Sequence, residues 1–129
     1  MTQVGDVYRR PGIRIKVKTY EPELLELEAW YEGTGDLPPK HHHPNQDEHF
    51  EVLRGSVRTV IAGQERDYEA GETFDVPAKT THQMGGNGSA HILWQIRPAL
   101  RTAEFFEIAY SGNAGETFLE EFKNEFVLD

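Results

Sequence analysis

Apolar and basic residues alternate strictly through Ile13-Arg14-Ile15-Lys16-Val17-Lys18, and Leu25, Leu27 and Ala29 alternate with Glu26 and Glu28 in the next segment. A period of two sends successive side chains to opposite faces, so each segment predicts a strand with one buried and one wet face. The wet faces carry opposite charge and suit neighbouring strands. Gly33-Thr34-Gly35-Asp36 and Pro38-Pro39 break the pattern, as turn residues do. Lys40 to His43 reads as a short extended piece and Pro44-Asn45-Gln46-Asp47 as a tight turn. Glu48 to Leu53 reads as a strand with Glu48, Phe50 and Val52 on one face. Val57 to Ile61 and Glu65 to Tyr68 flank Ala62-Gly63-Gln64 as a hairpin. Ala70-Gly71-Glu72 is a turn into the strand Thr73 to Val76, which Pro77 stops. Gly85-Gly86-Asn87-Gly88 predicts the most flexible loop of the chain, and His91 to Ile96 its last strand.

Many short strands at close turn spacing predict an all-β sandwich or barrel. The period changes after Pro98. Thr102 is placed to cap a helix through Phe105, Phe106, Ile108 and Ala109, and Phe118, Leu119, Phe122 and Phe126 form a second stripe. Such stripes serve core or dimer packing far more often than ligand binding. The 129 residues suit one domain, with the barrel over about 11–98 and a helical tail over about 101–127.

Composition narrows the partners. The net charge is −9, from 13 Lys+Arg against 22 Asp+Glu, which disfavours nucleic acid and anionic membranes. Without cysteine there is no disulfide, thiolate metal site or cysteine nucleophile. Met1-Thr2-Gln3-Val4-Gly5-Asp6 lacks a signal-peptide core, and no run approaches the ~18 apolar residues of a membrane span, so a cytoplasmic protein is expected. Exposed strand edges and Phe-rich helices suggest a homodimer.

The candidate chemistry lies in the histidines. Residues two apart on an extended segment share a face, so His41 and His43 point together while His42 points away. The turn at Pro44 to Asp47 lets Glu48 return to the same place, and His82, after Pro77, is expected from a third strand across the barrel. His41, His43, Glu48 and His82 then make a site of three imidazoles and one carboxylate for a single divalent ion. Fe, Mn, Ni, Co, Cu and Zn all suit it, with positions left open for water or substrate. His42 and His49 have the wrong parity and read as surface residues, while His91 opens a strand and is left out of the ligand set.

The spacing has a family resemblance. Gly35, five residues, His41, one, His43, four, Glu48, six, Gly55 resembles the first cupin motif in full. Gly71, five residues, Pro77, then His82 resembles the second, with Lys79 where that pattern has glycine and Gly86 where it has asparagine. The six-residue interval to Gly55 selects Glu48 over Asp47 as the carboxylate. The resemblance implies a double-stranded β-helix, or jelly-roll barrel, of the small single-domain cupin type, with short helices at its end. Cupins with this ligand set include dioxygenases, isomerases and polyketide cyclases.

Parity from Glu48 selects Phe50 and Val52 for an apolar cavity, parity from His82 selects Met84, and one of Trp94 and Gln95 must face inward. Phe50, Met84 and Trp94 are the candidate substrate-binding residues. Gln46, Gln83 and Gln95 are the neutral hydrogen-bonding groups nearby. Two functions follow. One is a metalloenzyme acting on a small organic substrate, with Glu48 able to carry a proton. The other is a binding module for a sugar or small metabolite, its metal structural or incidental.

Overall fold

The computed structural model describes residues 2–33, 35 and 37–129. The turn expected over 33–36 includes Thr34 and Asp36, which lie outside the described residues. In chain order the elements are β1 (Val7–Arg10), β2 (Ile13–Glu21), β3 (Leu24–Tyr31), β4 (His41–His42), β5 (Asp47–Arg54) and β6 (Ser56–Ile61). They continue with β7 (Gln64–Glu69), β8 (Thr73–Val76), β9 (His82–Gly86), β10 (Ala90–Arg97), α1 (Thr102–Ser111), α2 (Phe118–Glu121) and β11 (Val127–Leu128). The strands form two antiparallel sheets, ordered β1-β2-β3-β10-β5-β8 and β11-β4-β9-β6-β7. This is the expected all-β, jelly-roll class. Among the described residues no helix is long and apolar enough to cross a membrane.

The alternation read from the sequence sets which face is buried. Ile15 and Val17 of β2, Leu25, Leu27 and Ala29 of β3, and Ile92 of β10 are fully buried, and Phe50 and Val52 of β5 join them. Fully burying each such side chain contributes roughly 1.5–3 kcal/mol. On the wet face Lys16 lies opposite Glu28, and Lys18 Nζ stands 3.2 Å from the Glu28 carboxylate. The β6–β7 hairpin turns on Ala62 and Gly63, both in the left-handed region, as a two-residue hairpin turn requires.

Four expectations are corrected. Gly85 and Gly86 are not loop residues; they lie in β9, opposite Arg58 and Val57. A side chain at Gly86 would stand 2.7 Å from Tyr31 Cβ, so close packing accounts for that glycine. Thr102 does not cap α1: Arg101 holds the cap position, while the Thr102 hydroxyl accepts a hydrogen bond from Gln46 Nε2. The second aromatic stripe is not one helix, since α2 ends at Glu121 and Phe126 lies beyond it. Finally, the tail is not helical to its end: β11 joins the second sheet beside β4.

Candidate metal centre and pocket

β4 and β9 are neighbours, and their register places His41 opposite His82. His82 therefore stands beside His41 rather than across the barrel from it. The group that comes across is Glu48, from the opposite sheet. One ring nitrogen from each of His41, His43 and His82 lies within 4.8 Å of the others.

Each of these imidazoles is fixed through its other nitrogen. Nδ1–H donates to the carbonyl of Pro39 in His41 (2.9 Å), of Glu125 in His43 (2.7 Å) and of Thr80 in His82 (2.9 Å). A carbonyl can only accept, so Nδ1 carries a proton in all three rings, and in each neutral imidazole Nε2 presents a lone pair. This is how metal-binding histidines are held. Burial pushes His41 down to about 4, which keeps it neutral at physiological pH.

Glu48 is 2% exposed. Its Oε2 accepts a 2.7 Å hydrogen bond from Trp94 Nε1. Its Oε1 lies 3.2 Å from Nε2 of both His43 and His82. Despite that approach, the angles leave Glu48 Oε1 and His43 Nε2 without a hydrogen bond. Burial works to raise the Glu48 pKa, but the adjacent His43 and His82 outweigh it and hold the carboxyl well below the usual range. Burial likewise works to lower His43, and the Glu48 charge outweighs it, so His43 lies above its ordinary value. A buried carboxylate oxygen that lacks a hydrogen bond and faces imidazole nitrogens is an arrangement that a cation completes. The donor chemistry suits a divalent first-row metal, and the three histidines can hold one.

The remaining histidines lie outside this cluster. His42 bonds the Asp129 carboxylate at 2.8 Å. His49 bonds Asp75, and His91 bonds Glu28 at 2.7 Å while stacking on Trp30.

Sequence reasoning missed the segment that secures the histidines. β11 pairs with β4, matching Val127 to His42 and Leu128 to His41. Asp129 N–H donates to Lys40 O, and its carboxylate accepts from Thr81 Oγ1. Phe126 stacks on His41 at 4.7 Å between ring centroids, and its neighbour Glu125 supplies the carbonyl that His43 meets. A backbone acceptor some 80 residues away carries no local signal, although Phe126 was visible as an aromatic of the last stripe. Lys79 is the other departure. It adopts the left-handed conformation (φ 69°) that glycine would take at less cost, donates its N–H to His43 O, and reaches Pro44 O through Nζ.

The cluster borders a cavity of about 570 Å³. Phe50, Met84 and Trp94 line it, as parity suggested. Val52, expected beside them, packs in the core instead. Trp94 faces in, while Gln95 faces out and bonds Glu26. Gln46 and Gln83 also line the cavity, Gln46 with its Oε1 unpaired. Tyr31 and Tyr110 were not anticipated. Both line the cavity, and among the described residues neither phenol has a hydrogen-bond partner. Burial raises both phenols above the ordinary tyrosine value, so they remain protonated donors.

Comparison with known proteins agrees with this architecture. A family model described as "Cupin domain" matches residues 31–96. The fold is similar to KdgF from Halomonas sp., at 21% identity and a TM-score of 0.69 over 76% of this chain and 90% of that one. It is similar to an RmlC-like cupin from Shewanella frigidimarina, at 17% identity and a TM-score of 0.67 over 77% and 88% of the two chains. It is also similar to Streptomyces Pac13, described as a nucleoside dehydratase, at 16% identity and a TM-score of 0.66 over 78% and 81%. No curated protein matches the sequence significantly. The family match spans both histidine segments and the strands that carry them, and on that ground the chain belongs to the cupin family.

Proposed function

We propose that this cupin is a metal-dependent enzyme acting on a small organic substrate, with His41, His43, His82 and Glu48 as the ligands of one divalent ion. The observation that carries the reading is the unpaired Glu48 Oε1, which faces Nε2 of His43 and of His82 beside a cavity large enough for a substrate. A metal there supplies Lewis acidity or a site for dioxygen, which spans the isomerase, cyclase and dioxygenase readings.

The chain's own groups have separable tasks. The carbonyls of Pro39, Glu125 and Thr80 orient the imidazoles, and Trp94 orients Glu48. Phe50, Met84 and Trp94 form the apolar wall that excludes water from a bound substrate. Tyr31 and Tyr110 offer donors to substrate oxygen, and Gln46 Oε1 offers an acceptor. Glu48 can accept a substrate proton if its coordination loosens. That the Pac13 neighbour is described as a dehydratase is consistent with proton-transfer chemistry in such a barrel.

A closed structural metal site would instead favour a binding module. Solvent-proton relaxation of the Mn(II)-loaded protein tests the difference. An open site gives inner-sphere water and enhanced relaxation, which a substrate placed at the metal would reduce. Tight Mn(II) binding with no inner-sphere water would contradict the enzyme reading. Once a substrate is in hand, His82→Ala should abolish turnover with the fold intact.

A further inference from the structure

The cavity has a second chemical end. Arg10, at the end of β1, lines it and is solvent-exposed, whereas Glu48 and His82 at the other end are buried. Among the described residues Arg10 is the only lysine or arginine along the lining. Its guanidinium lies over the Tyr110 ring, 4.6 Å from the centroid. Among the described residues it makes no ion pair with a carboxylate. A guanidinium held by a cation–π contact and no ion pair retains N–H donors for a planar bidentate acceptor. One carboxylate, Glu32, shares this rim and is exposed.

A continuous aromatic wall joins the two ends. Tyr110 packs edge-on against Phe106 at 5.7 Å, Phe106 against Trp94 at 5.3 Å, and Trp94 bonds Glu48. Trp94 also stacks on Phe50, and Phe50 on Phe74. Edge-on and stacked rings alike offer π contact to a flat, conjugated body. The free phenols of Tyr31 and Tyr110 add donors and no charge.

We infer that the ligand of this pocket is a flat organic carboxylate, its carboxylate on Arg10 and its conjugated body along the Tyr110–Phe106–Trp94 wall, with its far end toward the histidine cluster. In a protein of net charge −9 the surrounding field repels anions, so a lone unpaired arginine at the opening is what makes an anionic ligand acceptable. The inference deepens the metalloenzyme reading by naming a substrate class, and it rests on that reading only for the direction in which the ligand points.

The test is calorimetric titration with matched pairs, 2-naphthoate with 2-naphthamide and cinnamate with cinnamamide. The proteins are wild type, Arg10→Gln and Arg10→Lys, each metal-loaded and chelator-treated. Wild type should bind each acid roughly ten- to a hundredfold more tightly than its amide, the range of a charged hydrogen bond. The preference should vanish in Arg10→Gln, return in part in Arg10→Lys, and survive chelation. Thermal melting checks that the variants are folded, as the exposure of Arg10 leads one to expect. Acids that bind no better than amides, or fail to bind, would overturn the inference. So would an acid preference that Arg10→Gln leaves intact. If that preference also disappears on chelation, the carboxylate sits on the metal, and the metal reading stands while the Arg10 assignment falls. A protein that takes up no metal but shows the Arg10-dependent preference upholds the Arg10 assignment and overturns the metal reading.

Discussion

Replacing Trp94 with phenylalanine removes one hydrogen bond and leaves an aromatic ring in place. The indole N–H is the donor to Glu48 Oε2, at 2.7 Å, and the other oxygen of that carboxylate has no hydrogen bond at all. Glu48 is 2% exposed, so no bulk water stands ready to replace the donor. A hydrogen bond to a buried charge is worth about 1.5–3 kcal/mol, and leaving the acceptor bare costs a similar amount. For a chain of this length that lowers the melting temperature of the metal-free protein by roughly 5–12 °C. Phenylalanine keeps most of the stacking on Phe50 and the edge-on contact with Phe106 but forfeits part of the ring area, so the single variant overstates the hydrogen bond. A double-mutant cycle with Glu48→Gln separates the two, since the packing loss is common to both backgrounds while the charged hydrogen bond exists in only one. Metal affinity reports independently. A partner that orients a ligand carboxylate is worth about ten- to a hundredfold in affinity, read by competition with a chelating dye. Melting within a degree of wild type, zero coupling in the cycle and unchanged metal affinity would together refute Glu48 as an oriented ligand.

Three further expectations follow from the same structure. Gly55→Ala should cost more than about 3 kcal/mol or abolish soluble expression, because a Cβ there would stand 2.3 Å from the Ser89 backbone oxygen at a φ of 72°; Gly85→Ala, which meets only the flexible end of Leu37, should cost far less, and near-equal melting of the two would contradict the clash argument. Phe126→Ala should weaken metal binding by up to about tenfold by freeing the His41 ring, from an aromatic pair worth about 0.5–1.5 kcal/mol, and unchanged affinity would remove Phe126 from the site. Partial burial works to raise the Glu28 pKa, but His91 and Lys18 outweigh it and hold the carboxyl below its ordinary 4.5. Its stabilisation is therefore present above pH 4.5 and lost as pH falls through the folded-state value, so Glu28→Gln should flatten the acid limb of a melting-temperature profile below that pH.

The legible parts of this molecule are those whose cause is local. Alternation in β2, β3 and β5 reveals the buried face because strand parity is a property of adjacent residues, and it puts His41 and His43 on one side for the same reason, while Glu48 reaches them from the opposite sheet. Gly55 is legible as a turn, although the close approach of Ser89 that makes it necessary is not. Gly85 and Gly86 mislead because glycine that makes room for Tyr31 looks, in sequence, like glycine that loosens a loop. Thr102 reads as a cap because its residue type favours one, yet its hydroxyl is taken by Gln46 from a distant turn. The reach of the C-terminal segment back to β4, and the Glu125 carbonyl that fixes His43, depend on long-range pairing that no local pattern records. Arg10, Tyr31 and Tyr110 come from three separate elements, β1, β3 and α1, and meet only when α1 packs beside β1.

The most direct measurement is metal content by mass spectrometry on tag-free protein, with His82→Ala and Glu48→Ala prepared alongside. About one tightly held first-row metal per chain is expected in wild type, and its loss in both variants while their folds persist. Wild-type protein that is isolated without metal, and stays empty when offered Mn, Fe, Ni, Co, Cu or Zn, would contradict the four-ligand metal centre.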